Sequence, residues 1–188
     1  VPSMESAACG VWIDAGSRHE DARYNGAAHM VEHMLFKGTK KRSAQELSEV
    51  IERVGGYMNA YTSREMTSYN VHLLKEHLPL AVDVISDMVI NATLPEEEIE
   101  RERQVILQEI NMVQDTPDDL VFDLFSEVAY PQQRFGAPIL GTSQSIQNMP
   151  GEALRGFIET HYTPERMVFS AAGCRDHDDF RSMVEEQC

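Results

Sequence analysis

After Pro95 the chain carries a helical stretch whose apolar side is interrupted by acid. Ile99, Glu102, Ile106, Glu109 and Val113 recur at the three- and four-residue steps of one helix face, and two of these five are carboxylates. A carboxylate turned into a core costs several kcal/mol unless it is paired or bound to a metal. The fold must therefore bring a metal to Glu102 and Glu109, or leave them at a wet helix boundary, or pair them with Arg64 or Arg23. Glu100, Arg101 and Arg103 fall off the stripe.

A second helix offers a site for such a metal. Between Gly26 and about Phe36 lies His29-Met30-Val31-Glu32-His33. Residues four apart on a helix share a face, so His29 and His33 can hold one zinc ion, with the Glu32 carboxylate beside them to take a proton from water. The bland alternative is three ordinary surface residues of an amphipathic helix.

The rest of the chain reads as one α+β domain. Ala7 to Asp14 is a short apolar run suited to a buried strand, and a charged loop, 18–24, follows it. Ser43-Ala44-Gln45-Glu46 has the capping-box form, opening a helix that Gly55-Gly56 stops. Tyr57 to Thr62 and Glu65 to Leu74 predict a hairpin. Further helices are expected from Pro79 to Asn91, from Pro95 to Val113, from Thr116 to about Ala129 and from Glu152 to Thr160. Met167 to Ala172 predicts a strand, and Asp176 a final helix cap.

Composition removes several classes. With 16 basic and 31 acidic residues, the chain carries a net charge of −15, which excludes the positive field that nucleic acid or an anionic lipid face requires and favours basic partners. The most apolar stretch, Leu78 to Leu94, is broken by Asp83, Asp87 and Asn91, so no membrane span is expected. Cys9, Cys174 and Cys188 are widely spaced and read as plain thiols.

With these residues in hand, the chain resembles the inverted-motif zinc peptidases of the pitrilysin/insulinase group, in particular the branch containing the mitochondrial processing peptidase β subunit and its alphaproteobacterial relatives. His29-x-x-Glu32-His33 is followed by Glu109 within Glu100-Arg101-Glu102-Arg103-Gln104-Val105-Ile106-Leu107-Gln108-Glu109. Asn25-Gly26-Ala27-Ala28-His29, Phe36-Lys37-Gly38-Thr39, Asn59-Ala60-Tyr61-Thr62-Ser63-Arg64-Glu65 and Ile139-Leu140-Gly141 carry the rest of the resemblance.

The resemblance implies a mixed or antiparallel sheet covered by helices. Residues 1–188 would form a single catalytic domain, the N-terminal half of a longer peptidase, without its first strands and without a homologous second half. It implies zinc as cofactor, with His29, His33 and Glu109 as ligands, Glu32 as general base and Glu102 as a support behind the ligands. The strand holding Asn59, Ala60 and Tyr61 would receive an extended peptide as an added β-strand, and Asp119 and Asp123 would hold a substrate arginine. A helix-terminal charge and a solvated face remain the alternative for that aspartate pair. The implied partners are a basic or arginine-containing peptide and a homologous subunit, in a homodimer or heterodimer. The implied setting is the bacterial cytoplasm or, alternatively, the mitochondrial matrix. Ala137 and Cys174 stand where Arg and Asn are common in the family. A non-catalytic structural or substrate-binding subunit of the same fold is the second reading. A lyase with an H-x-x-E-H helix and a cysteine ligand is a third, with no cysteine between Cys9 and Cys174 to serve it.

Overall fold

The computed structural model describes residues 3–173 and 176–187. Its strands are β1 (Ser6–Ile13), β2 (Tyr57–Thr62), β3 (Thr67–Leu74) and β4 (Met167–Ala172). Its helices are α1 (Ala27–Leu35), α2 (Ala44–Glu52), α3 (Leu78–Asn91), α4 (Glu96–Gln114), α5 (Pro117–Ala129), α6 (Ser143–Asn148), α7 (Gly151–His161) and α8 (His177–Glu185). The sheet is antiparallel throughout, in the order β2-β3-β1-β4, and this is the α+β arrangement expected. None of the described helices is long and apolar enough to cross a membrane.

Strand alternation sorts the two faces. Cys9, Val11 and Ile13 of β1 and Tyr69, Val71 and Leu73 of β3 are buried on the face that α3 covers, with α1 packed beside it on β2, whereas Tyr57, Asn59 and Tyr61 of β2 are exposed on the other face. Burial pushes the Cys9 thiol up to about 12, so it is a core residue with no thiolate chemistry at neutral pH. Cys174 and Cys188 lie outside the described residues.

Three details depart from the sequence reading. The strand expected from Glu65 starts at Thr67, because Ser63 closes a turn by bonding Met66 through both its N–H and its hydroxyl. The segment from Ser143 to Asn148, where no element is expected between the helices ending near Ala129 and starting at Glu152, is a one-and-a-half-turn helix capped by Thr142. Arg103, off the apolar stripe, is nonetheless buried: its guanidinium donates to the carbonyls of Ile146 and Met149 at the end of α6 and pairs with Glu100. Those contacts tie α4 to α6 and fix how deep the α4 stripe sits.

Candidate metal centre

The histidine helix is held at its start by two features. Gly26, immediately before α1, has φ +95°, and a Cβ there would lie 2.6 Å from both Ile146 Cδ1 and the Leu140 carbonyl, so only glycine fits. The buried carboxylate of Glu20 takes the place of an N-cap side chain: Oε2 accepts from Gly26 N–H and Asn25 Nδ2, both at 2.9 Å, and Oε1 from Ala28 N–H at 2.8 Å. Burial pushes the Glu20 carboxyl up to about 7, and the three donors only partly hold it down. Sequence reasoning leaves Glu20 in a charged loop, because it stands seven residues ahead of the first helical residue, Ala27, where no capping pattern looks for it.

From that anchored start α1 points His29, Glu32 and His33 toward α4 and β2. Nε2 of His29 and of His33 lie 3.7 and 3.8 Å from Glu109 Oε2, and the three candidate ligand atoms all fall within 4.8 Å of one another. Zinc at about 2.1 Å from each ligand of a tetrahedron sets those ligands about 3.4 Å apart, close to the two His–Glu109 separations. The imidazole of His29 makes no hydrogen bond among the described residues, and its Nδ1 is buried without a partner. Burial, and then the adjacent His33, hold its pKa down to about 4, so at neutral pH it offers a lone pair rather than a charge. Two imidazole Nε2 atoms and one carboxylate converging on one point form a donor set suited to zinc.

Glu102, on the same stripe as Glu109, sits behind the histidines. Its Oε2 is 2.9 Å from His33 Nδ1 and its Oε1 is 2.7 Å from Lys37 Nζ. Burial pushes this carboxyl up, but Lys37 and His33 outweigh burial and leave it below its ordinary value. An ionised Glu102 accepts from Nδ1–H, which fixes the tautomer that leaves Nε2 of His33 as the donor atom toward Glu109. The charges expected to satisfy the acidic stripe as an alternative are engaged elsewhere: Arg23 with Asp21, and Arg64 with the Phe135 carbonyl and Asp123. Glu102→Gln is expected to weaken zinc binding about 10- to 100-fold, as removal of such a supporting carboxylate does. Competition with a metallochromic chelator measures this, and an unchanged affinity would remove Glu102 from the site.

Glu32 is half-buried, and Thr62 on β2 donates its hydroxyl to Glu32 Oε2 at 2.5 Å. Burial raises the Glu32 carboxyl, and the Thr62 bond offsets only part of the rise. Glu32 and His33 open onto a cavity of about 260 Å³ walled by Phe36, Lys37, Met58, Asn59, Ala60 and Glu102. Asn59 and Ala60 thus lie beside the two helix residues, while Tyr61 faces outward, its hydroxyl 3.6 Å from Met66 Sδ. Asp119 and Asp123 are on α5, outside the metal cluster; Asp119 is exposed, and Asp123 Oδ1 is 3.4 Å from Arg64 Nη2. The sequence carries no sign of Lys37 or Thr62 as partners, because whole helices and strands separate each from its carboxylate along the chain.

Residues 1–143 match the family described as insulinase (peptidase family M16), and residues 148–188 match the peptidase M16 inactive domain. The boundary between the two matches is not a break in the fold, since β4 from the second completes the sheet of the first. An uncharacterized zinc protease, YmxG, of Bacillus subtilis is 45% identical over 98% of the chain and 45% of its own length. The human mitochondrial-processing peptidase subunit beta is 43% identical over 97% of the chain and 37% of its own length. A solved protease from Helicobacter pylori superposes with a TM-score of 0.94 at 26% identity, covering 97% of the chain and 45% of that structure. The chain thus spans less than half the length of these relatives.

Proposed function

The chain belongs to the insulinase family of peptidases, M16, and on that footing we propose that residues 1–188 form the catalytic domain of a zinc endopeptidase acting on extended, basic peptides. The observation that carries this reading is the convergence of His29, His33 and Glu109 within 4.8 Å, with Glu32 and Glu102 on either side. That every group needed for hydrolysis sits in one cluster supports an enzyme over a non-catalytic subunit of the same fold.

A zinc ion held by His29, His33 and Glu109 would polarise a peptide carbonyl and lower the pKa of water. Glu32, raised by burial and aligned by Thr62, takes the proton of the attacking water on the oxygen that Thr62 does not engage and delivers it to the leaving amine. Glu102 keeps His33 in the right tautomer. The substrate backbone pairs with the outer edge of β2 near Asn59, Ala60 and Tyr61, and the side chain at the scissile bond enters the cavity beside Glu32. Asp119 and Asp123 receive a substrate arginine, which must share Asp123 with Arg64. A homologous subunit or second half covers the cleft, a reading in keeping with a relative named as a subunit beta, in the bacterial cytoplasm or the mitochondrial matrix.

Metal analysis, together with cleavage of an arginine-containing presequence peptide by the full-length protein alone and with a homologous partner, tests this reading. One zinc per chain and a defined cleavage site are expected; zinc without cleavage in either mixture would sink the presequence assignment. In the same assay the double variant Asp119→Asn, Asp123→Asn should raise KM for the arginine peptide about three- to fivefold with kcat unchanged, the effect of losing up to about 1 kcal/mol of accessible ion pairing. An unchanged KM removes the pair from the substrate site.

A further inference from the structure

We propose that the cavity between α2 and the start of β2 is a second side-chain subsite, which takes an apolar substrate residue two positions further from the scissile bond than the residue seated beside Glu32. The proposal rests on the reading of β2 as the edge that receives the peptide.

β2 pairs with β3 on one side only, and its other edge has no strand partner among the described residues. Along β2 the side chains alternate: Met58, Ala60 and Thr62 are half-buried toward the helices, while Tyr57, Asn59 and Tyr61 are exposed on the opposite face. A peptide added to this edge alternates in the same way, sending every second side chain toward the helical layer, about 6.6 to 7 Å apart. Two cavities lie on that side in succession. The first, about 260 Å³, holds Glu32 and His33 and reaches Ala60. The second, about 310 Å³, begins at Tyr57 and is floored by Leu47 and Ile51. Phe36 and Met58 belong to both and form the partition between them. The cavities are therefore set out along the strand in the order in which same-face side chains of one peptide would meet them.

The second cavity differs in chemistry from the first. Polar groups of the candidate centre line one wall of the cavity beside Glu32, whereas the floor of the second is aliphatic, with Leu47 and Ile51 each only 1% exposed. Interiors are close-packed and leave few voids, so an open apolar concavity next to a reactive cluster is suited to a guest side chain. Glu52 stands at the rim, where it accepts a hydrogen bond from Ser48 at 2.7 Å. A carboxylate entering beside Glu52 would be desolvated next to a like charge, so Asp and Glu are excluded, while Leu, Met and Phe are accepted.

The test uses the full-length protein and a peptide series identical except at the position two residues beyond the cavity-filling one, carrying Gly, Leu, Phe or Glu, with the cleaved bond located by mass spectrometry. Leu and Phe are expected to exceed Gly by at least tenfold in kcat/KM, the range a filled apolar pocket gives, with Glu the poorest. Ser48→Phe, which fills the cavity from an exposed helix position, should bring the Leu-to-Gly ratio within threefold. Ala44→Leu, at a second exposed position on its wall, repeats the test if Ser48→Phe does not fold. A ratio that neither variant changes, in a protein whose cleavage still depends on Glu32, overturns the subsite and leaves the peptidase reading standing. Wild-type protein that binds zinc and cleaves none of the series overturns both.

Discussion

Glu32→Gln is expected to reduce peptide cleavage by the full-length protein by at least about 10²-fold and up to about 10⁴-fold, the range attributed to a positioned general base, while zinc remains bound. Glutamine has the shape of glutamate, and its carbonyl can still accept the Thr62 hydroxyl that holds Glu32 Oε2 at 2.5 Å, so the geometry of α1 and β2 survives. Glu32 is outside the His29, His33 and Glu109 group, so the donor set is untouched. What is lost is the group that removes the proton from water. Because burial raises the Glu32 carboxyl, the wild-type rate should fall on acidification at a higher pH than an exposed glutamate would give, and this limb should vanish from any residual activity of the variant. Parallel measurement of zinc content and a pH–rate profile checks both halves. Unaltered cleavage by Glu32→Gln would show that the mechanism is wrongly assigned, whatever the metal content.

The helices and strands were legible where the chain signals locally. Ser43 and Glu46 form the reciprocal cap their spacing promises, and Asp176 accepts from Asp178 N–H as a cap should. The segment from Ser143 to Asn148 was not legible, because a six-residue helix with Ile146 as its single buried apolar residue carries no periodicity to read. The α4 stripe was legible at its centre and drifted at its ends. Ile99, Glu102 and Ile106 are buried as expected, but by the last turn the buried residue is Ile110 while Glu109 is part-exposed, since 3.6 residues per turn rotates a seven-residue pattern off its line. That drift leaves Glu109 at the mouth of the site and Glu102 in its wall, a difference in role that the sequence spacing alone could not assign. Arg103, Glu20, Lys37 and Thr62 were missed for one shared reason. Each acts on a group brought to it by packing rather than by its own helix or strand, and a helical pattern reports which face is inward without reporting what stands opposite.

The carboxylate left at the mouth is the one whose loss should be felt most by the metal. Glu109→Gln is expected to remove more than half of the stabilisation that zinc confers on folding. Among the described residues, His29, His33 and Glu109 form the one group of three spaced to hold an ion, so two imidazoles alone remain after the exchange, with a neutral amide in place of the anionic oxygen 3.7 and 3.8 Å from them. An ion that binds only the folded chain stabilises it by about 4 kcal/mol at a thousandfold excess over its dissociation constant. At roughly 2 to 4 °C per kcal/mol for a domain of this size, saturating zinc should raise the melting temperature of the metal-stripped wild type by about 8 to 16 °C. The variant, binding at least about a hundredfold more weakly, would keep less than half of that shift at the same zinc concentration. Unlike Glu32→Gln, which leaves the shift intact and lowers the rate, Glu109→Gln lowers both, so the pair of variants separates holding the ion from using it. An equal zinc-dependent shift in wild type and variant would take Glu109 out of the ligand set, and the carboxylate supplying the third ligand would then have to be sought at Glu102, where Lys37 and His33 already occupy both oxygens.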